Sequence, residues 1–123
     1  MTHKEAATTF LKMASAGDVR AAYDQFIASN FIHHNPYFRG DRASLLAAME
    51  DAARTHPNRS LDIQRVWEDG DTVITHSRVT RQDPGAPPIA VVHIFRFAND
   101  RVVELWDLGQ PVDPKSPNEN GMF

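Results

Sequence analysis

Apolar and polar positions repeat with two different periods along this chain, one helical and one of strand type. Through residues 3–16, Ala7, Phe10, Leu11 and Ala14 recur every three to four positions, the stripe of an amphipathic helix. Gly17-Asp18 interrupts the stripe, and Asp18 can cap a second helix over roughly residues 18–29 that gathers Ala22, Tyr23, Phe26 and Ile27. A third helix is expected to start near Asp41 or Arg42 and to bury Leu45, Leu46, Met49 and Ala53. It should stop by His56, because Pro57 disfavours helix at the residue before it. Between the second and third helices lies Phe31-Ile32-His33-His34-Asn35-Pro36-Tyr37, short, aromatic and broken by a proline.

From Leu61 the period becomes two. Leu61–Glu68 sets Leu, Ile, Arg and Trp against Asp, Gln, Val and Glu, and Asp69-Gly70-Asp71 is a hairpin signal leading into Thr72–Arg81. The prolines of the loop Asp83-Pro84-Gly85-Ala86-Pro87-Pro88 then block strand pairing. Ile89–Phe97 turns at Ala98-Asn99-Asp100 and returns as Arg101–Leu108. Because strand side chains alternate, Ile89, Val91, His93, Phe95 and Phe97 share one face of the first arm. In the second arm, Val103, Leu105 and Asp107 are expected on one face, and Val102, Glu104 and Trp106 on the other.

Helices followed by strands imply an α+β domain with segregated layers. The expected architecture is a cone: a curved antiparallel sheet of four to six strands packed on three N-terminal helices and enclosing a pocket that suits an apolar small molecule. The 123 residues make one domain, with 111–123 as an irregular tail. Met122 and Phe123 are too apolar for a purely solvated tail and are expected to dock on the body or on a second subunit.

Composition narrows the function classes. A net charge of −3 with no basic face lacks the electrostatic footprint of a nucleic-acid binder. With no cysteine there are no disulfides, thiolate metal sites or Cys nucleophiles. Thr2-His3-Lys4-Glu5 leads into no apolar run, so neither a signal peptide nor a membrane span is expected, and the chain reads as cytoplasmic.

His93 and Asp107 are the two titratable groups set into apolar strand faces. They are either core residues with satisfied hydrogen bonds or the working groups of an apolar pocket, where burial makes a carboxylate a usable base near neutral pH. His33 and His34 are neighbours in an extended segment and point opposite ways, and no HxH or HxxxH pattern accompanies them. A zinc site drawing on His76 and His93 is therefore not favoured. Asn35 is expected to stabilise the turn before Pro36 while His34 reaches the pocket. Arg65, Arg78 and Arg81 read as surface or interface ion pairs.

Several blocks, taken in order, carry a resemblance. HHNP at 33–36, GD at 70–71 with ITHS at 74–77, VVHIFRF at 91–97, VVELWDLGQPV at 102–112 and NGMF at 120–123 resemble the SnoaL-like branch of the nuclear transport factor 2-like superfamily. The resemblance implies the cone fold and a range of cofactor-independent chemistries: polyketide cyclisation, ketosteroid isomerisation, dehydration and epoxide hydrolysis. It also implies roles. Asp107 matches the cyclases' acid–base aspartate, and His34 and Asn35 match a polar pair near the pocket floor. His93 departs from the family pattern, which often has Asp there, and Arg78 stands where relatives often carry a second His. The isomerase's base is an Asp near position 35, where this chain has Asn, and the epoxide hydrolase's Asp-Arg-Asp set is at most partly present.

The resulting expectation is a homodimer formed through the outer sheet face, with a pocket holding a small apolar carbonyl compound. Asp107 and His93 would be catalytic, and Tyr23, Phe26, His34, Asn35 and His76 would bind substrate. The reaction would be an aldol-type cyclisation, isomerisation or dehydration without metal or cofactor. The alternatives are a binding module with no chemistry and a partner-binding domain that uses the outer sheet and the tail.

Overall fold

The computed structural model describes residues 1–123. Three helices, α1 (His3–Ser15), α2 (Val19–Phe26) and α3 (Arg42–Thr55), pack on a five-stranded curved sheet that does not close. The strands are β1 (Ile27–His33), β2 (Ser60–Asp69), β3 (Thr72–Thr80), β4 (Ile89–Ala98) and β5 (Arg101–Pro111), in the order β1-β5-β4-β3-β2. No helix is long and apolar enough to cross a membrane.

The helices follow their apolar stripes. In α1, Ala7, Phe10, Leu11 and Ala14 are buried, and the Thr2 hydroxyl accepts from the Glu5 N–H to start the helix. Asp41 caps α3 by accepting from the Ser44 N–H at 2.9 Å, and its hydrogen bonds to Ser44 hold the carboxyl below its ordinary range. Asp18 occupies the corresponding position before α2, but there its backbone carbonyl, not its side chain, accepts the hydrogen bond, from the Ala22 N–H.

The second helix is shorter than its periodicity suggests. It ends at Phe26, and Ile27–His33 becomes an edge strand running parallel to β5, with Ile27 opposite Val102 and His33 opposite Leu105. Ile27, Phe31 and Ile32 suit a pleated surface, and the sheet edge offered by β5 outweighs the local helical pattern. The sheet is therefore mixed, because the other three pairings are antiparallel.

Besides a register shift in β1 between Ile27 and Ile32, two bulges in the hairpin strands correct the simple alternation. One, between Ile63 and Arg65, reverses the parity of β2, so Val66 packs against the core while Trp67 is 52% exposed. The other lies between Phe97 and Leu105, where Val103 is the extra residue; Val102, not Val103, joins Leu105 in the core. Both hairpin turns span two residues, Gly70-Asp71 and Asn99-Asp100, and both turn residues of the second have positive φ, as the tight hairpin requires.

Two rungs summarise the two faces. On the inner face, His33, Leu105, Phe95 and Val73 lie side by side across β1, β5, β4 and β3, all buried under the helices. On the outer face, Trp106, Ile94, Ile74 and Trp67 form the matching row across β5, β4, β3 and β2. The C-terminal segment docks on that outer face of its own chain: the Met122 carbonyl accepts from His76 Nε2 at 2.9 Å, and Phe123 stacks on the His76 ring.

Candidate functional site

Between the helices and the sheet lies a cavity of about 370 Å³ with mostly apolar walls. Phe10 and Leu11 of α1, Leu45 and Met49 of α3, and Val91 and Leu105 of the sheet supply much of that wall. Its polar end is one rung of the sheet. Thr75, His93 and Asp107 are direct neighbours on β3, β4 and β5, each at an inward-facing position.

Asp107 is held from two sides. Its Oδ2 accepts from Asn35 Nδ2 at 2.9 Å, and its Oδ1 lies 3.5 Å from His93 Nε2, slightly too long for a hydrogen bond. The Asn35 amide has only one workable orientation, because its Oδ1 accepts from the Tyr37 N–H at 3.0 Å. Nδ2 must then be the group facing the carboxylate. Asn35 thus does both things, shaping the turn as expected and donating into the site.

His33 positions that turn. The Asn35 N–H donates to His33 Nδ1 at 3.1 Å, so Nδ1 is an acceptor and the proton sits on Nε2, which donates to the Arg39 carbonyl at 2.6 Å. Buried at the end of β1, this neutral imidazole ties both ends of the loop that carries Asn35. His33 turns inward and His34 outward, as adjacent strand residues must.

His34 is accordingly a correction. It stacks on Trp106 with ring centroids 4.8 Å apart and meets Glu104 at 2.7 Å on the outer face. Its hydrogen bond, followed by those from Arg96, holds the Glu104 carboxyl below its ordinary range. His76 is a second correction. It lies between Thr75 and Ser77, both fully buried on the inner side, so its ring emerges on the outer face against Arg65, Met122 and Phe123.

Tyr23 and Phe26 are buried in the packed core and do not line the cavity. The Tyr23 hydroxyl donates to Met49 Sδ at 3.0 Å, and its ring lies under the Arg42 guanidinium at 5.4 Å. Burial pushes its phenol well above the ordinary value. Of the seven expected site residues, Asn35, His93 and Asp107 line the cavity together.

His93 is the most perturbed member. Burial lowers its pKa, opposed in part by the Asp107 charge, so the ring is neutral at physiological pH. Its Nδ1 is buried with no partner in the protein, as are the nearby hydroxyls of Thr75 and Ser77. No three His, Cys, Asp or Glu side chains converge in a way that would hold a metal ion.

The far end of the cavity was not anticipated. Arg59 and Arg81 flank it from the ends of β2 and β3, while Tyr37, 85% exposed, and Phe38 border the cavity from the loop that carries Asn35. Arg81 is therefore no surface ion pair. Arg65 contacts His76 Nδ1 at 2.9 Å, and Arg78 lies 4.9 Å over the Phe123 ring, so neither of those forms the ion pair expected of it. The one signal for Arg59 and Arg81 was positional, each standing one residue outside a strand end.

Comparison with known proteins agrees with this architecture. The sequence model of the SnoaL-like domain matches residues 7–105. Among solved structures, an uncharacterised cystatin-fold protein from Novosphingobium aromaticivorans superposes with a TM-score of 0.75 at 21% identity, covering 88% of this chain and 98% of that one. A candidate polyketide cyclase from Acidithiobacillus ferrooxidans gives 0.73 at 23% identity, covering 88% and 87%. An NTF2-like protein of unknown function from Cytophaga hutchinsonii gives 0.72 at 15% identity, covering 90% and 92%. At these identities the likeness is one of fold. No curated protein sequence matches the chain.

Proposed function

The chain belongs to the SnoaL-like domain family, and from that premise we propose that its cavity binds a small apolar carbonyl compound and catalyses proton transfer at the carbon beside the carbonyl. One observation carries the reading. A carboxylate, Asp107, is held by Asn35 at 2.9 Å and faced by a neutral His93 in the wall of an apolar cavity.

In this reading Asp107 removes the α-proton, and the C–H electron pair moves through the enolate to the carbonyl oxygen. His93, neutral because it is buried, donates a hydrogen bond to that oxygen. Where the ligand is a β,γ-unsaturated ketone, the protonated Asp107 then returns its proton to the γ-carbon as the double bond moves into conjugation, giving isomerisation. Alternatively, the enolate carbon attacks a second carbonyl, and the protonated Asp107 gives its proton to the alkoxide so formed, completing aldol closure. Asn35 donates throughout and keeps the carboxylate aimed. The fold is shared with a candidate polyketide cyclase from Acidithiobacillus ferrooxidans.

The test needs no knowledge of the natural substrate. Deuterium uptake at the α-carbons of 2-octanone in D2O, followed by NMR, should be faster with the protein than with buffer and should fall to background with Asp107→Asn. Ligand binding with no accelerated exchange would mean that the cavity is a binding module.

The outer face supports a homodimer. Trp67, Ile74, Ile94 and Trp106 form an apolar row, and Leu108, 55% exposed, extends it. A two-fold axis would set such a row against its own copy. Light scattering should return twice the mass of one chain, and Leu108→Glu should return a single chain.

A further inference from the structure

We infer that the open end of this cavity selects organic anions, so that the ligand presents a carboxylate to Arg59 and Arg81 and lays its apolar body toward His93 and Asp107. The inference rests on reading the cavity as a ligand site and adds what the ligand must carry.

The geometry comes from strand register. Ser60 of β2 pairs with Thr80 of β3 in the last rung of that hairpin, which places Arg59 and Arg81 side by side just beyond it. Both border the same cavity. Neither lies within 4.0 Å of a carboxylate, although acidic residues outnumber basic ones in the chain, 16 to 13. The nearest acid in sequence, Asp83, meets His56 Nδ1 at 3.6 Å instead. Two adjacent guanidiniums with no counter-charge repel each other, and burial together with Arg81 lowers the Arg59 pKa. An anion between them removes that repulsion, and the planar forks of two arginines match a carboxylate well.

Distance sets the shape of the ligand. His93 lies opposite Thr75, and Arg81 follows the end of the same strand, so the two ends of the cavity are separated by on the order of 20 Å of β3. Arginine side chains reach inward over part of that span. The wall between them is apolar, with Val79, Ile89 and Val91 on the sheet side. An elongated apolar acid with its reactive carbonyl at the far end from the carboxylate fits these constraints, whereas a compact neutral molecule would leave both guanidiniums unused.

Two probes of equal length, octanoate and 1-octanol, test this by NMR titration of the isotope-labelled protein. Octanoate should bind at least about tenfold more tightly than octanol. The advantage should shrink in about 1 M salt, where charges are screened beyond about 3 Å. It should vanish in the double variant Arg59→Gln, Arg81→Gln, whose unchanged octanol binding shows that the cavity is intact, and largely survive in Arg59→Lys, Arg81→Lys. Equal affinity for the two probes in the natural protein, or an octanoate preference that survives the glutamine pair, overturns the anion inference and leaves the cavity reading standing. If neither probe binds, both readings fall together.

Discussion

His93 and Asp107 face each other across β4 and β5 as directly paired residues, with Nε2 and Oδ1 3.5 Å apart. The pairing is of the kind that brings Cβ atoms close on one face of a sheet, so the two groups are juxtaposed by the backbone ladder, with no loop involved. Asp107→Asn keeps the shape and an acceptor for Asn35 but removes the base. Deuterium exchange should drop by about 10²- to 10⁴-fold, while the thermal midpoint changes little.

The depressed His93 pKa has a sign that can be worked out. The folded protein holds this ring neutral, whereas the unfolded chain protonates it near the ordinary value of 6.5. Between the depressed folded value and 6.5 the unfolded state binds more protons, so folding stability is complete above 6.5 and falls as pH drops through that window. The urea midpoint should therefore decline on acidification, and His93→Gln should flatten that part of the curve. An unchanged slope in the variant would show that other groups govern it.

Asn35 and His33 should behave differently from the base. Asn35→Ala removes the 2.9 Å donor to Asp107 and leaves the base in place, so exchange activity should fall by about tenfold, as expected for one hydrogen bond to a charged group. His33→Ala removes the two bonds that set the loop, at a cost of about 1–3 kcal/mol. In both variants the pH profile of exchange should shift, a change that loss of stability alone would not produce.

Tyr23 gives an alkaline counterpart. Its phenol is raised above the ordinary value of 10.0, so the fold is fully stabilised below pH 10 and loses that stabilisation as pH climbs toward the raised value. Tyr23→Phe should weaken the alkaline decline in stability and, at neutral pH, cost under about 1 kcal/mol, because a thioether is a weak acceptor. Denaturant melts at pH 7 and above pH 10 check both points.

The His76 tautomer is fixed by its neighbours. Arg65 can only donate, so His76 Nδ1 accepts, and Nε2–H donates to the Met122 carbonyl. Nitrogen-detected NMR should find the Nε2–H form. Phe123→Ala, which removes the ring stacked on His76 and beneath Arg78, should cost roughly 0.5–1 kcal/mol and loosen residues 117–123 without affecting cavity ligands.

The helices, the hairpins and the shared face of His93 and Asp107 were legible because each rests on local periodicity and short turns. What escaped the sequence depends on partners far away. Ile27–His33 reads as helix and loop until β5 offers an edge. The bulges near Gln64 and Val103 reverse parity by one residue, which composition does not announce, and so moved Trp67 outward and Val102 inward. The turn at Asn35-Pro36 and the family likeness both point His34 inward, whereas strand parity after His33 turns it outward. Arg59 and Arg81 carry no motif and become neighbours only through the pairing of Ser60 with Thr80.

The bond between Asn35 and Asp107 joins residues 72 positions apart, and β1 has no strand neighbour other than β5. At about 5–20 residues per second of synthesis, Asn35 leaves the ribosome on the order of 4 to 14 seconds before the aspartate it will hold. For that interval β1 has no strand to pair with. The polar end of the cavity is thus among the last parts of the molecule to come into being. A truncated nascent chain that ends before β5 would expose a sticky edge where the finished protein has its chemistry.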